Sequence, residues 1–341
     1  MFPENHLSKV SKARGGGVGY SVCVVIPAYK VRKQIVSVIQ SVGPEVDKIL
    51  VIDDYCPEKT GHLVKQLITD PRVEVIFLPA NKGVGGAVIA GYERAMELGI
   101  DIVVKVDGDG QMNLADLKSL ICPIIKGEAD YTKGNRFYNL EGIASMPKMR
   151  IVGNLVLSFL SKFSTGYWNI FDPNNGFTAI TAPVLKTLPL HKIEKRYFFE
   201  SDLLFRLYLS RAKVVDVPLE ARYGEEKSNL KISKSLYEFS FKHFRNTLKR
   251  ISYIYFIQDF SLASIELPAG LVLAIFGLTT GISSWLSSMR TGIATNTGTQ
   301  ILVSITLLSS LQLILSFANF DSRNYPIESR FQLENLKNEE N

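Results

Sequence analysis

The chain has 341 residues, of which 46% are hydrophobic and 21% charged, so it can fill one large core with residues left over for an appendage. A net charge of +6, from 39 Lys and Arg against 33 Asp and Glu, suits a membrane surface, a phosphate-rich substrate or a nucleic acid without choosing among them. Cys23, Cys56 and Cys122 are odd in number and far apart, which argues against a disulfide framework or a zinc site built on cysteine pairs and suits a reducing compartment.

Residues 1–19 lack the apolar stretch of a secretory signal and read as a flexible, glycine-rich lead-in. From residue 20 to 232 short β-rich runs alternate with helical patterns, which predicts a layered α/β domain with a mostly parallel sheet. The clearest strands are SVCVVIPAY, KILVIDD, VEVIFLP and DIVVKVDGD. Between the last two, Val84, Ala87, Val88, Gly91, Ala95 and Leu98 recur at helical spacing and predict a crossover helix.

Residues 233–262 change character. Tyr237, Phe241, Phe244, Leu248, Ile251 and Tyr255 form one stripe, with Lys242, Arg245, Lys249 and Arg250 largely off it. This pattern suits a helix lying on an anionic membrane surface or one packed on the domain. Within 263–321, the runs Leu267 to Leu286 and Gln300 to Phe320 each hold about 20 residues without a charge, the length a bilayer core demands. A transmembrane hairpin is expected. Lys and Arg crowd the approach to the first run, Arg290 alone lies in the connecting loop, and Arg323 and Arg330 follow the second. That distribution places both ends, the tail 322–341 included, in the cytoplasm of a multi-pass inner-membrane protein.

The chemistry concentrates at strand ends. In a parallel α/β sheet ligands bind beyond the carboxyl ends of the strands, where DGDGQ (Asp107 to Gln111) falls. Asp107 and Asp109, with Gln111 beside them, suit Mg²⁺ or Mn²⁺ holding a diphosphate. A calcium loop is disfavoured because its twelfth place, which wants Glu, is Lys118. A second acidic pair, Asp53 and Asp54, ends the second strand and suits a base N–H or a ribose hydroxyl. No glycine fingerprint of a dinucleotide fold accompanies it, since Val88 takes the sixth place of GVGGAV.

Taken in order, VVIPAY, VIDD, NKGVGGA, DGDGQ, GNRF, NNGF, FFESD and RYGEEKSNL resemble the family 2 glycosyltransferases of GT-A fold, in particular the polyprenyl-phosphate group. The resemblance covers about Tyr20 to Asn229 and extends to the C-terminal membrane segment. It implies that Pro27, Ala28, Tyr29, Asp53, Asp54 and Lys82 contact the nucleotide, and that Asp107, Asp109 and Gln111 form the metal and diphosphate site. Asn174, Asn175 and Gly176 fall in the sugar or acceptor loop. Arg136, Arg222, Lys227 and Ser228 would bind the acceptor phosphate. The family usually has Ser where Asn135 stands, and its Gly-Glu-Ser pattern is interrupted by Glu226 and Lys227.

The implied reaction is inverting, metal-dependent transfer of a sugar from a nucleotide diphosphate, with a UDP-sugar expected and GDP-mannose as the other option, to undecaprenyl or dolichyl phosphate at the cytoplasmic face. A phosphate monoester is already largely dianionic at neutral pH and needs no strong base. Glu200 and Asp202 would then position substrates, whereas transfer to a hydroxyl of a lipid-linked glycan would make one of them the base. A homo-oligomer is expected and nucleic-acid binding is not, because basic and aromatic residues gather beside the apolar runs. The other readings are a processive synthase, disfavoured because neither tryptophan sits in the Gln-x-x-Arg-Trp motif of those relatives, and a non-catalytic membrane scaffold, which predicts a broken DGDGQ.

Overall fold

The computed structural model describes residues 19–138, 148–219 and 232–329. They form seven strands, β1 (Val22–Ala28), β2 (Lys48–Asp53), β3 (Val73–Phe77), β4 (Ile102–Lys105), β5 (Tyr131–Asn135), β6 (Thr178–Thr181) and β7 (Val214–Pro218). The helices that frame the site are α1 (Ile35–Gln40), α2 (Thr60–Leu67), α3 (Val84–Glu97), α4 (Leu117–Ile125), α5 (Lys148–Thr165), α6 (Ala182–Thr187) and α7 (Phe199–Leu209). The four expected strands are β1 to β4, and the expected crossover helix is α3.

The sheet runs β3-β2-β1-β4-β6-β5-β7. Parallel pairs join β1 to β2 and β4, β2 to β3, and β5 to β7. β6 is antiparallel to both β4 and β5, which makes the sheet mixed and mostly parallel. β1 lies in its middle and is covered on both faces, so its run Val22-Cys23-Val24-Val25-Ile26 is apolar without alternation and almost wholly buried. Val24, Ile26, Val51, Val104 and Phe177 meet Leu117, Leu120 and Ile121 of α4 in the main core. The strand order reverses between β1 and β4, and a crevice opens beyond the carboxyl ends at such a point.

The chain divides into two compact units, residues 1–246 with 326–341, and Thr247–Tyr325. The first carries the sheet. Helix α8 (Ile232–Tyr253) runs through the boundary and ends in a π-helical turn, Ile254–Gln258. In the second unit α9 (Leu262–Thr291) and α10 (Thr297–Arg323) pack antiparallel. Ser310 Oγ donates to the Gly270 carbonyl at 2.8 Å, and a Cβ on Gly277 would stand 2.8 Å from Leu307 Cδ2, so the backbones touch closely. Both helices are apolar and long enough to cross a bilayer.

At the end of this hairpin the Arg250 fork holds Asp321, with Nη1 to Oδ1 at 2.6 Å and Nη2 to Oδ2 at 2.8 Å. The Tyr255 hydroxyl adds a bond of 2.7 Å to the same carboxylate, and all three side chains are buried. Arg250, one of the basic residues outside the apolar stripe, thus has its charge buried in this ion pair.

Candidate active site

The crevice is a pocket of about 450 Å³ lined by Pro27, Ala28, Tyr29 and Val31 after β1, Asp54 after β2, Asn81, Gly83, Val84 and Ala87 at the start of α3, and Asp107, Gly108 and Asp109 after β4. Arg196 and Tyr197, from the segment before α7, complete it. Tyr29 and Tyr197 are exposed, at 42% and 64%.

Each strand-end acid has a distinct partner set. Asp53 is buried, and its oxygens accept from the Cys56 N–H at 2.8 Å and the Gly61 N–H at 2.6 Å. The Asp54 carboxylate accepts from the Lys82 and Gly83 N–H groups at 2.7 and 2.8 Å, fixing the loop into α3. Lys82 thus enters this network through its backbone, and its side chain is exposed. Asp107 is half-exposed on the pocket wall and takes Lys105 Nζ on Oδ1 at 2.9 Å. Asp109 Oδ1 accepts the Gln111 N–H at 3.0 Å, while the Gln111 side chain is exposed.

Behind Asp107 lies a buried charge cluster that the sequence reading did not anticipate. Lys105 is buried on β4 and bridges Asp107 to Glu200 Oε1, also at 2.9 Å. Burial alone would pull its ammonium down, but the two carboxylates outweigh that and hold it above the ordinary lysine range. Lys133 on β5 is buried too, and burial pulls it down to about 8 while it donates to the Asn175 carbonyl. Gly176 covers the cluster, since a Cβ there would stand 2.3 Å from Asp107 Oδ2 and 2.5 Å from Lys105 Nζ. The Asn175 amide donates to the Gly134 carbonyl and its oxygen accepts the Phe177 N–H, so that side chain shapes the loop, whereas Asn174 is exposed.

Arg136 grips Asp172 with Nε to Oδ2 at 2.8 Å and Nη2 to Oδ1 at 3.1 Å. Asn135, where the family usually has Ser, spans two partners that a hydroxyl would not reach together. Its oxygen accepts the Phe137 N–H at 2.9 Å and its amide donates to Asp216 at 3.0 Å. Burial pushes Asp216 up to about 6. Arg222, Lys227 and Ser228 lie outside the described residues.

Glu200 and Asp202 part ways on α7. Glu200 points to Lys105. Asp202 is buried, accepting the Glu194 N–H and Arg206 Nε at 3.0 Å on one oxygen and the Asn246 amide at 3.1 Å on the other. It ties α7 to the preceding loop and to α8 rather than capping the helix, whose N-cap is Phe198. On α8 the buried residues are His243, Asn246 and Arg250, while Phe241, Phe244 and Leu248 are 60%, 61% and 51% exposed. Phe241, Phe244 and Leu248 therefore face outward, while Tyr255, which the sequence places on the same stripe, is buried against Asp321.

The donor set fits a divalent cation. Among the described residues no three His, Cys, Asp or Glu gather, so two carboxylates one residue apart would share the ion with a ligand's phosphates, as Mg²⁺ sites commonly do.

A mixed, mostly parallel sheet with paired acids at its topological switch is a GT-A-like fold. The chain belongs to the glycosyl transferase family 2, whose model matches residues 23–188, and it is a glycosyltransferase. It is 33% identical over 218 residues to the UDP-N-acetylglucosamine--dolichyl-phosphate N-acetylglucosaminyltransferase of Methanococcus voltae, covering 60% of this chain and 86% of that one. It is 32% identical to the polyprenol monophosphomannose synthase of Mycolicibacterium smegmatis (58% and 75% covered) and 31% to the undecaprenyl-phosphate mannosyltransferase of Micrococcus luteus (60% and 86%). The fold matches glucosyl-3-phosphoglycerate synthase of Mycobacterium tuberculosis, solved with Mn²⁺, UDP and its product, at a TM-score of 0.54 and 20% identity over 73% of this chain and 85% of that one.

Proposed function

We propose that the protein transfers a sugar, with inversion, from a UDP-sugar to the phosphate of a membrane polyprenol at the cytoplasmic face. The observation that carries this reading is the pocket at the β1/β4 switch, which puts Tyr29 beside Asp107 and Asp109. The names of the relatives, all acting on dolichyl, polyprenol or undecaprenyl phosphate, support the acceptor, and one of them supports a UDP donor.

Tyr29, Pro27 and Ala28 would hold the base, and Asp107 and Asp109 would hold Mg²⁺ or Mn²⁺. Such an ion supplies Lewis-acid neutralisation of the leaving diphosphate. Lys105 keeps Asp107 and Glu200 in register beneath the sugar, and the Gly176 loop closes over them. Arg136, aligned by Asp172, would aim the acceptor phosphate, lowering the entropic cost of the encounter. The engagement of Asp202 by three donors supports a phosphate nucleophile, which needs no base, over a hydroxyl. The outward-facing Phe241, Phe244 and Leu248 of α8 and the two apolar helices would keep the catalytic unit at the bilayer, where the acceptor's head lies.

The test is transfer of radiolabelled sugar from a panel of nucleotide sugars to undecaprenyl phosphate by the purified protein in detergent, with Mn²⁺ or EDTA. A metal-dependent, mild-acid-labile lipid that Asp109→Ala abolishes and Asp202→Asn largely retains supports the reading. A product formed only on a glycolipid hydroxyl and lost in Asp202→Asn overturns it.

A further inference from the structure

The pocket wall carries three carboxylates, Asp54, Asp107 and Asp109, and among its described lining residues a single cation, Arg196. Both oxygens of Asp54 are occupied by backbone N–H groups. Nothing in the sequence motifs singled out Arg196, which lies three residues before the helix that bears Glu200 and Asp202.

The base of Arg196 is firmly seated. The Lys195 carbonyl accepts the Gly86 N–H at 3.1 Å and the Arg196 carbonyl accepts the Phe199 N–H at 2.9 Å, pinning the segment between α3 and α7. The glycines of NKGVGGA make this approach possible. A Cβ on Gly83 would stand 2.6 Å from the Lys195 carbonyl oxygen and 3.0 Å from Arg196 Cγ, and one on Gly85 would stand 2.6 Å from the Glu194 carbonyl oxygen. The glycine-rich start of α3 thus serves as the seat for the Arg196 segment.

The tip of Arg196 is uncommitted. Arg72, Arg94, Arg136, Arg206 and Arg250 each grip an acid. Arg196 is exposed and, among the described residues, has no hydrogen-bond or ion-pair partner for its guanidinium. An arginine with a fixed base and an unpaired fork, on the wall of a pocket whose other charged lining residues are carboxylates, suits recognition of a phosphate pair.

Resting on the reading of this pocket as the donor site, we propose that Arg196 binds the diphosphate of the nucleotide sugar. It is a binding residue of the donor, distinct from Arg136 on the acceptor side.

The experiment is displacement of a fluorescent nucleoside diphosphate from the full-length protein in detergent with Mg²⁺ present, using UDP, GDP, uridine and guanosine as competitors. Arg196→Gln is expected to weaken the preferred nucleoside diphosphate about 10- to 100-fold while leaving its nucleoside within about twofold, because the lost contact is a charge-assisted bond to phosphate. Arg196→Lys falls between, as a point charge replaces a planar fork. Unchanged diphosphate affinity in Arg196→Gln, or equal weakening of diphosphate and nucleoside, overturns the assignment while leaving the donor reading in place. A wild-type protein that binds neither UDP nor GDP overturns both.

Discussion

Asp53 and Asp54 close β2, and Asp107 and Asp109 follow β4, so two strand ends present paired acids with nearly the same local composition. Their surroundings separate them. The first pair accepts four backbone N–H groups, two per carboxylate, and holds the loops into α2 and α3 in place. In the second pair, which lines the pocket together with Asp54, Asp107 Oδ1 meets the Lys105 ammonium and Asp109 Oδ1 accepts the Gln111 N–H. The comparison teaches that the amides converging on a strand-end carboxylate, and not its local sequence, decide whether it braces a loop; the proposed function gives the second pair to the ligand.

The sharpest way to break that contrast is Asp109→Ala. With Asp109 in its proposed role as a metal ligand, its removal is expected to lower transfer by about 10³-fold or more, because a bound cation would supply several kcal/mol of charge stabilisation, while the melting temperature stays near that of the wild type. A variant that melts early and keeps its specific activity would reverse the assignment. Asp53→Ala is the converse case. Two charge-assisted bonds are lost and two buried amides left without acceptors, a cost of about 3 kcal/mol readable in urea unfolding. If the melting curve stays put and nucleotide affinity falls instead, Asp53 belongs with the ligand.

His243 provides a comparison outside both pairs. Burial against Ser164 and Phe198 pulls it from 6.5 to about 4, so it is neutral in the folded protein. Its contribution is complete above pH 6.5 and is lost as pH falls from 6.5 toward 4, where only the unfolded chain takes up the proton. The loss is of the order of 3 kcal/mol, and His243→Gln should flatten that slope in stability measured against pH. Asp202→Asn has the smallest expected effect. The amide oxygen can still accept from Arg206 and the Glu194 N–H, while its NH2 meets the Asn246 side chain in place of an acceptor, for about 1.5 kcal/mol of stability, with transfer largely kept.

The strands and the crossover helix were legible because apolar runs and helical spacing report burial directly. DGDGQ was legible because two hard ligands after a strand point to the crevice. The partners of Asp53, Asp54 and Asp202 were not, because the amides they accept come from residues 3, 8, 28, 29 or 44 positions away, a relation that only the folded chain displays. Lys105 reads as an ordinary strand residue and Lys133 falls in none of the four expected strands, and neither shows a local sign that it would be buried. On α8 the periodicity identified the apolar face but not the direction it takes. The burial of His243, Asn246 and Arg250 supplies that direction.

The clamp of Arg250 on Asp321 also sets an order of events during synthesis. The two residues are 71 positions apart, with both apolar helices between them. Until the ribosome has delivered Asp321, neither the Arg250 ion pair nor the Tyr255 bond to that carboxylate can form. The bond between the end of α8 and the end of α10 therefore forms only after both apolar helices have been synthesised.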